Sequence, residues 1–61
     1  NFWVKIAQEI LIHRGHEIPY GADGYLGAMT QAILKKFQKE KGIPVTGELD
    51  GPTWAKLLEV D

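Results

Sequence analysis

The chain contains no cysteine, which excludes disulfide stapling and, with only two histidines, leaves a structural zinc site short of good ligands. An excess of one charge is also missing: seven Lys and Arg stand against eight Asp and Glu, for a net charge of −1. Binding through nucleic-acid phosphates usually needs a basic excess, so that function class is disfavoured. No apolar run approaches the roughly 18 to 20 residues of a membrane span. The opening NFWVK has neither the basic region nor the cleavage pattern of a signal peptide. An initiating Met is absent too. The expectation is therefore one domain, residues 1–61, belonging to a longer protein whose export signal lies elsewhere.

What is present is enough for a small core. A 61-residue chain buries only about 60% of the surface that it exposes when unfolded, so its stability is marginal and must come from close packing. The hydrophobic content is 44%, with two each of Trp, Tyr and Phe, and the charged fraction is 25%. These are the proportions of an ordinary folded domain, not of a disordered one.

Periodicity and punctuation predict three helices. Asn1 is a good cap for a first helix that runs to about Arg14, with Gly15 supplying the left-handed residue that stops it. Val4, Ala7 and Leu11 form its inward stripe, which Trp3, Ile6 and Ile10 widen beyond one buried face. The segment GHEIPYGADGYLG, Gly15 to Gly27, is too rich in Gly and Pro for a long element, although Tyr25 and Leu26 fit a very short strand. A second helix is expected from Ala28 to just before Gly42, burying Met29, Ile33, Leu34 and Phe37 and turning Lys35, Lys36 and Lys39 to solvent. In GIPVTGELDG, Ile43, Val45 and Leu49 alternate as apolar anchors, compatible with a small hairpin against the Tyr25 region. Asp50 caps the third helix and Pro52 lies in its first turn, where the missing N–H costs nothing. Trp54, Leu57 and Leu58 are expected to face inward. The fold class is all-α: a compact three-helix bundle with irregular loops and at most one very short β-pairing.

One phrase occurs twice. DGYLGAMTQAIL, from Asp23, returns 23 residues later as TGELDGPTWAKL, from Thr46. In each copy a glycine permits a tight turn, a leucine two residues on enters the core, and a threonine falls in the first turn of a helix. Two units this short do not make a solenoid, which needs about three or more. They read as two loop-to-helix entries into one core.

The ordered set Val4, Ala7-Gln8, Leu11, Gly15, Asp23-Gly24-Tyr25-Leu26-Gly27, Thr30, Phe37-Gln38, Gly42-Ile43, Val45-Thr46-Gly47, Asp50, Thr53-Trp54 and Leu57 resembles the peptidoglycan-binding domain of type 1, over nearly the whole chain. The resemblance implies a non-catalytic three-helix module attached to a bacterial cell-wall hydrolase, an amidase, peptidase or muramidase, or to a phage endolysin. Extracellular or wall-associated placement follows from it. Ala7 stands where the family usually has leucine, and Ala28 where its second helix usually opens with proline. Propeptides of vertebrate matrix metalloproteinases share a similar fold but inhibit through a cysteine, which this chain lacks.

Catalytic constellations are weak. His13 and His16 with Glu9 and Glu17 are the only metal-like group, and a helix stop at Gly15 separates the two histidines. A catalytic zinc needs three protein ligands in a concave pocket, so metal and cofactor are both assigned as none. Asp23 and Asp50 sit at turn and cap positions, better explained by local structure than by glycoside cleavage. Glycan or stem-peptide binding asks for less: an aromatic surface and a few polar groups to orient hydroxyls, amides and carboxylates. The candidate ligand-binding residues are Tyr20, Asp23, Gly24, Tyr25, Gly27 and Thr30. Two readings stand for Tyr25, ligand stacking or half-buried packing beside Leu26. For Thr30 the choice is between ligand contact and holding the Asp23–Gly27 loop; Gln38 reads as structural. An alternative role uses Trp3, Ile6 and Ile10 to dock on the parent catalytic domain.

Overall fold

Helix α1 (Phe2–His13) starts where Asn1 Oδ1 accepts the backbone N–H groups of Trp3 at 2.9 Å and Val4 at 3.4 Å. It stops at Gly15, whose φ of 91° lets the His16 N–H return to the Leu11 carbonyl at 2.9 Å. Helix α2 (Ala28–Lys41) stops the same way, at Gly42 with φ 71° and the Ile43 N–H on the Gln38 carbonyl at 3.1 Å. Helix α3 (Gly51–Leu57) is capped by Asp50 and carries Pro52 in its first turn. The computed structural model describes residues 1–59.

The core joins Ala7 and Leu11 of α1, Ile18 of the first loop, Leu34 and Phe37 of α2, and Leu57 of α3. Leu26 and Leu49, the leucines of the two repeated phrases, pack against it from the loops, as do Ile10, Ile33 and Trp54. Arg14 ties the bundle together at its far end. Its Nη2 donates to the carbonyls of Lys56 at 3.3 Å and Leu57 at 3.1 Å, and to that of Glu59. A cation is thereby placed where the helix dipole and the unspent carbonyls of α3 favour one.

Three expectations are corrected. Met29 is 46% exposed, because the buried arc of α2 centres on Thr30, Leu34, Phe37 and Gln38, leaving Met29 at its margin. Leu58 is also exposed, since α3 ends at Leu57 and Leu58 is its cap residue. No strand forms among the described residues, so the Tyr25 region and the segment after Gly42 do not pair. The backbone groups that would ladder are already taken. A buried glutamine amide accepts the N–H groups of Thr46 and Gly47 and donates to the Glu48 carbonyl, and a second one does the same for Gly24 and Tyr25.

Candidate functional site

The repeated phrases are each clamped by one fully buried glutamine. Gln38, from α2, donates through Nε2 to Thr46 Oγ1 (3.1 Å), the Glu48 carbonyl (3.1 Å) and Thr53 Oγ1 (2.8 Å), and accepts at Oε1 from the Thr46 and Gly47 N–H groups, both at 2.9 Å. Gln8, from α1, donates to Asp23 Oδ1 (2.9 Å), the Tyr25 carbonyl (3.1 Å) and Thr30 Oγ1 (3.1 Å), and accepts from the Gly24 N–H at 2.8 Å. Two amide hydrogens serve three acceptors in each clamp, and the Gln38 oxygen accepts two N–H groups where the Gln8 oxygen accepts one. Buried side-chain nitrogen and oxygen atoms without a partner are absent among the described residues.

The first clamp builds a groove. With its turn held by Gln8, the loop projects Tyr20 and Tyr25, which are 74% and 71% exposed. These rings, with Asp23, Gly27, Ala28, Met29 and Thr30, line a concavity of about 300 Å³. That is the lower end of the range for small-ligand sites, room for one sugar ring or one amino-acid residue. Tyr25 does not pack beside Leu26; its ring lies over Gly27, where an added Cβ would come within 2.6 Å of Cε2. Gly24 sits behind the groove. Its φ is 78°, and a Cβ there would meet the Asn1 carbonyl oxygen at 3.0 Å and nitrogen at 3.1 Å, so the turn needs glycine twice over, for its conformation and for the close approach. Thr30 both bonds Gln8 and lines the groove. Gln38 holds the other loop, not this one.

The Asp23 carboxyl is held below its ordinary value of 3.8, mainly by the Tyr25 N–H and next by the Gln8 amide. Asp50 is lowered similarly by the hydroxyl and N–H of Thr53, with Thr46 Oγ1 adding to them. A carboxylate whose folded pKa is depressed contributes stability above its unfolded pKa and loses it as the pH falls through the folded value. The melting temperature is therefore expected to be flat near neutrality and to fall below about pH 4. Asp50→Asn should flatten that fall in a series of thermal melts; an unchanged melting temperature down to pH 2.5 in the unmutated domain would contradict the assignment.

A larger cleft, about 530 Å³, lies at the opposite ends of α1 and α2, lined by His13, Arg14, His16, Phe37, Glu40 and Lys41. Size does not make it the better candidate. His16 Nε2 faces Glu40 Oε1 at 3.3 Å, its ring meets Phe37 edge-on, Lys41 Nζ lies over that same ring, and Arg14 is engaged with α3. The histidines are not drawn together with Glu9 and Glu17, and among the described residues no group of three or more His, Cys, Asp or Glu is placed to hold a metal. Nor is any helix of the described residues long and apolar enough to cross a membrane. Of the aromatic face on α1, Ile10 is spent on the core, Ile6 is half-buried, and Trp3 remains 63% exposed.

Sequence reasoning missed Gln8 as the organiser of the site, and with it Ala28 and Met29 as walls. A signal existed. Val4-Lys5-Ile6-Ala7-Gln8 and Leu34-Lys35-Lys36-Phe37-Gln38 are the same apolar-Lys-x-apolar-Gln phrase, 30 residues apart, so the repeat includes the helix before each turn as well as the one after it.

No curated protein and no solved structure matches the chain. A family model does, over residues 4–57, a span that takes in both clamps, both repeated turns and all six core residues. With its glutamine-held turns and three short helices, the chain belongs to the peptidoglycan binding domain family.

Proposed function

We propose that the domain binds murein without cutting it, through the groove of Tyr20, Asp23, Tyr25, Gly27 and Thr30, and so holds a linked cell-wall hydrolase at its substrate. The observation that carries this reading is the pair of exposed tyrosines on a rigid, glutamine-clamped loop, in a chain of this family. Aromatic faces stack on the apolar faces of sugars, and the neighbouring polar groups orient amides and hydroxyls. Weak, reversible contacts suffice, because linkage to a catalytic domain multiplies effective affinity. The parent is then a bacterial or phage-encoded hydrolase acting outside the cell or in the wall.

Co-sedimentation with purified, insoluble peptidoglycan tests it. The domain is expected in the pellet, and the Tyr20→Ala, Tyr25→Ala double variant in the supernatant, with affinity lower by about tenfold or more, as loss of two stacking contacts implies. Both side chains are exposed, so the melting temperature should barely move. A domain that stays in the supernatant at every salt concentration would defeat the proposal.

A second reading has its own observation. Phe2 and Trp3 are exposed and meet edge-to-face at 5.4 Å, and Trp3 meets Trp54 at 6.2 Å, so an aromatic face suited to the parent's catalytic domain lies on α1 and α3. Of Trp3, Ile6 and Ile10, Trp3 is the residue left for that contact. Trp3→Gln should lower the parent hydrolase's thermal stability and leave wall binding intact; equal stability of the parent variant rejects docking.

A further inference from the structure

Asp23 carries more than its turn uses. Its Oδ1 accepts from the Gln8 amide and from the Tyr25 N–H, both at 2.9 Å. In the sister turn the same place is held by Thr46, whose Oγ1 accepts from the Gln38 amide and from the Glu48 N–H, both at 3.1 Å. A neutral oxygen therefore suffices to close this kind of turn. The second oxygen and the negative charge of Asp23 are surplus to it. Among the described residues, Oδ2 accepts no hydrogen bond from another residue and no Lys, Arg or His is paired with the carboxylate. The Asn1 amino group donates to the Gly24 carbonyl instead. With its pKa held below the ordinary value, the carboxyl is ionised at neutral pH.

The surroundings of that charge also differ between the two turns. Where the second turn has Glu48, the first has Tyr25. Tyr25 and Tyr20 are both exposed and line the groove with Asp23, and no residue lining that groove is basic. Neither tyrosine ring meets another aromatic ring or a cation of the chain among the described residues. Aromatic faces beside a carboxylate attract an organic cation twice, through the ring quadrupole and through the full charge. An anion is repelled by the same set, and a neutral guest gains only the stacking.

We propose that the groove holds a primary ammonium of the murein stem peptide, with Asp23 Oδ2 as its counter-charge and the rings of Tyr20 and Tyr25 as its walls. This rests on the reading of the groove as the wall-binding surface. The aliphatic stem of a diamino acid lies along the rings while its ammonium donates to the free carboxylate oxygen. Cross-linking acylates that amine and removes its charge, so the domain favours strands whose peptides are not cross-linked.

The test uses a soluble disaccharide–tripeptide of murein that ends in lysine, and the same fragment with the lysine amine acetylated, titrated into the labelled domain at low salt. The free amine is expected to bind about tenfold tighter, the effect of one exposed ion pair and one cation–π contact together, and the difference should shrink as salt is added. Asp23→Asn keeps an oxygen for the Gln8 amide and the Tyr25 N–H but removes the charge, and should bind the two fragments alike. Equal affinity of the two for the unmutated domain overturns the proposal, as does a folded Asp23→Asn variant that still prefers the free amine. If Asp23→Asn fails to fold, the comparison on the unmutated domain decides alone. Equal affinity, or no binding of either fragment, with sedimentation on peptidoglycan intact would reject the ammonium site and leave wall binding standing; loss of sedimentation as well would reject the two together.

Discussion

Gln38→Leu is expected to leave the domain largely unfolded at room temperature. Leucine matches glutamine closely enough in size that packing is not the issue. What is lost are five hydrogen bonds from a side chain with no exposure at all. Each buried group left without a partner costs about 1–3 kcal/mol, and a domain of this size rarely has more than about 3–5 kcal/mol in total. Even partial rescue by water leaves the sum comparable to the whole stability. Gln8→Leu should be milder, because Gln8 makes four such bonds where Gln38 makes five and holds one backbone N–H where Gln38 holds two; a folded domain with a lowered melting temperature is expected. Circular dichroism melts of the two variants check both. A Gln38→Leu domain melting within a few degrees of the parent would mean that the clamp is dispensable.

Phe37→Ala carries the second large effect. Phe37 is among the side chains with almost no exposure, sits in the cluster that joins all three helices, and meets the His16 ring edge-to-face at 5.9 Å. Truncation of a buried phenylalanine costs about 3–5 kcal/mol, the transfer term plus the cavity it leaves. In so small a core, neighbours from only three helices and two loops are available to collapse into the void. Phe2→Ala provides the contrast: Phe2 is 70% exposed, and its replacement should change stability by no more than about 0.5 kcal/mol. Urea denaturation of both variants measures the difference, and equal midpoints would mean that the core lies elsewhere.

The helices were legible because their ends are written in residue types with one physical use each. Asn1 and Asp50 cap, and Gly15 and Gly42 take the left-handed conformation that ends α1 and α2. Leu26 and Leu49 were legible as core plugs because each repeats two residues after a turn glycine. The hairpin with which the alternation is compatible does not form among the described residues, for a definite reason. Alternation in Ile43, Val45 and Leu49 marks which side chains can point inward, but not what satisfies the backbone between them, and here a glutamine from another helix does so. Leu58 faces water because α3 ends at Leu57 and the cap residue leaves the buried stripe. Within the groove, Tyr20 and Tyr25 were visible as loop aromatics. Gln8 was hidden because it lies 22 residues before Thr30, whereas Gln38 lies 15 before Thr53. The longer first loop shifts one clamp relative to the other, and a search at a fixed repeat length passes over it.

The most direct test of the account is where soluble murein fragments perturb the domain, read residue by residue from amide chemical shifts. The shifts are expected to concentrate from Tyr20 to Thr30, while His13, His16 and Lys41 stay still. Shifts centred on the His13–Lys41 cleft or on Trp3, with the tyrosine groove silent, would contradict it.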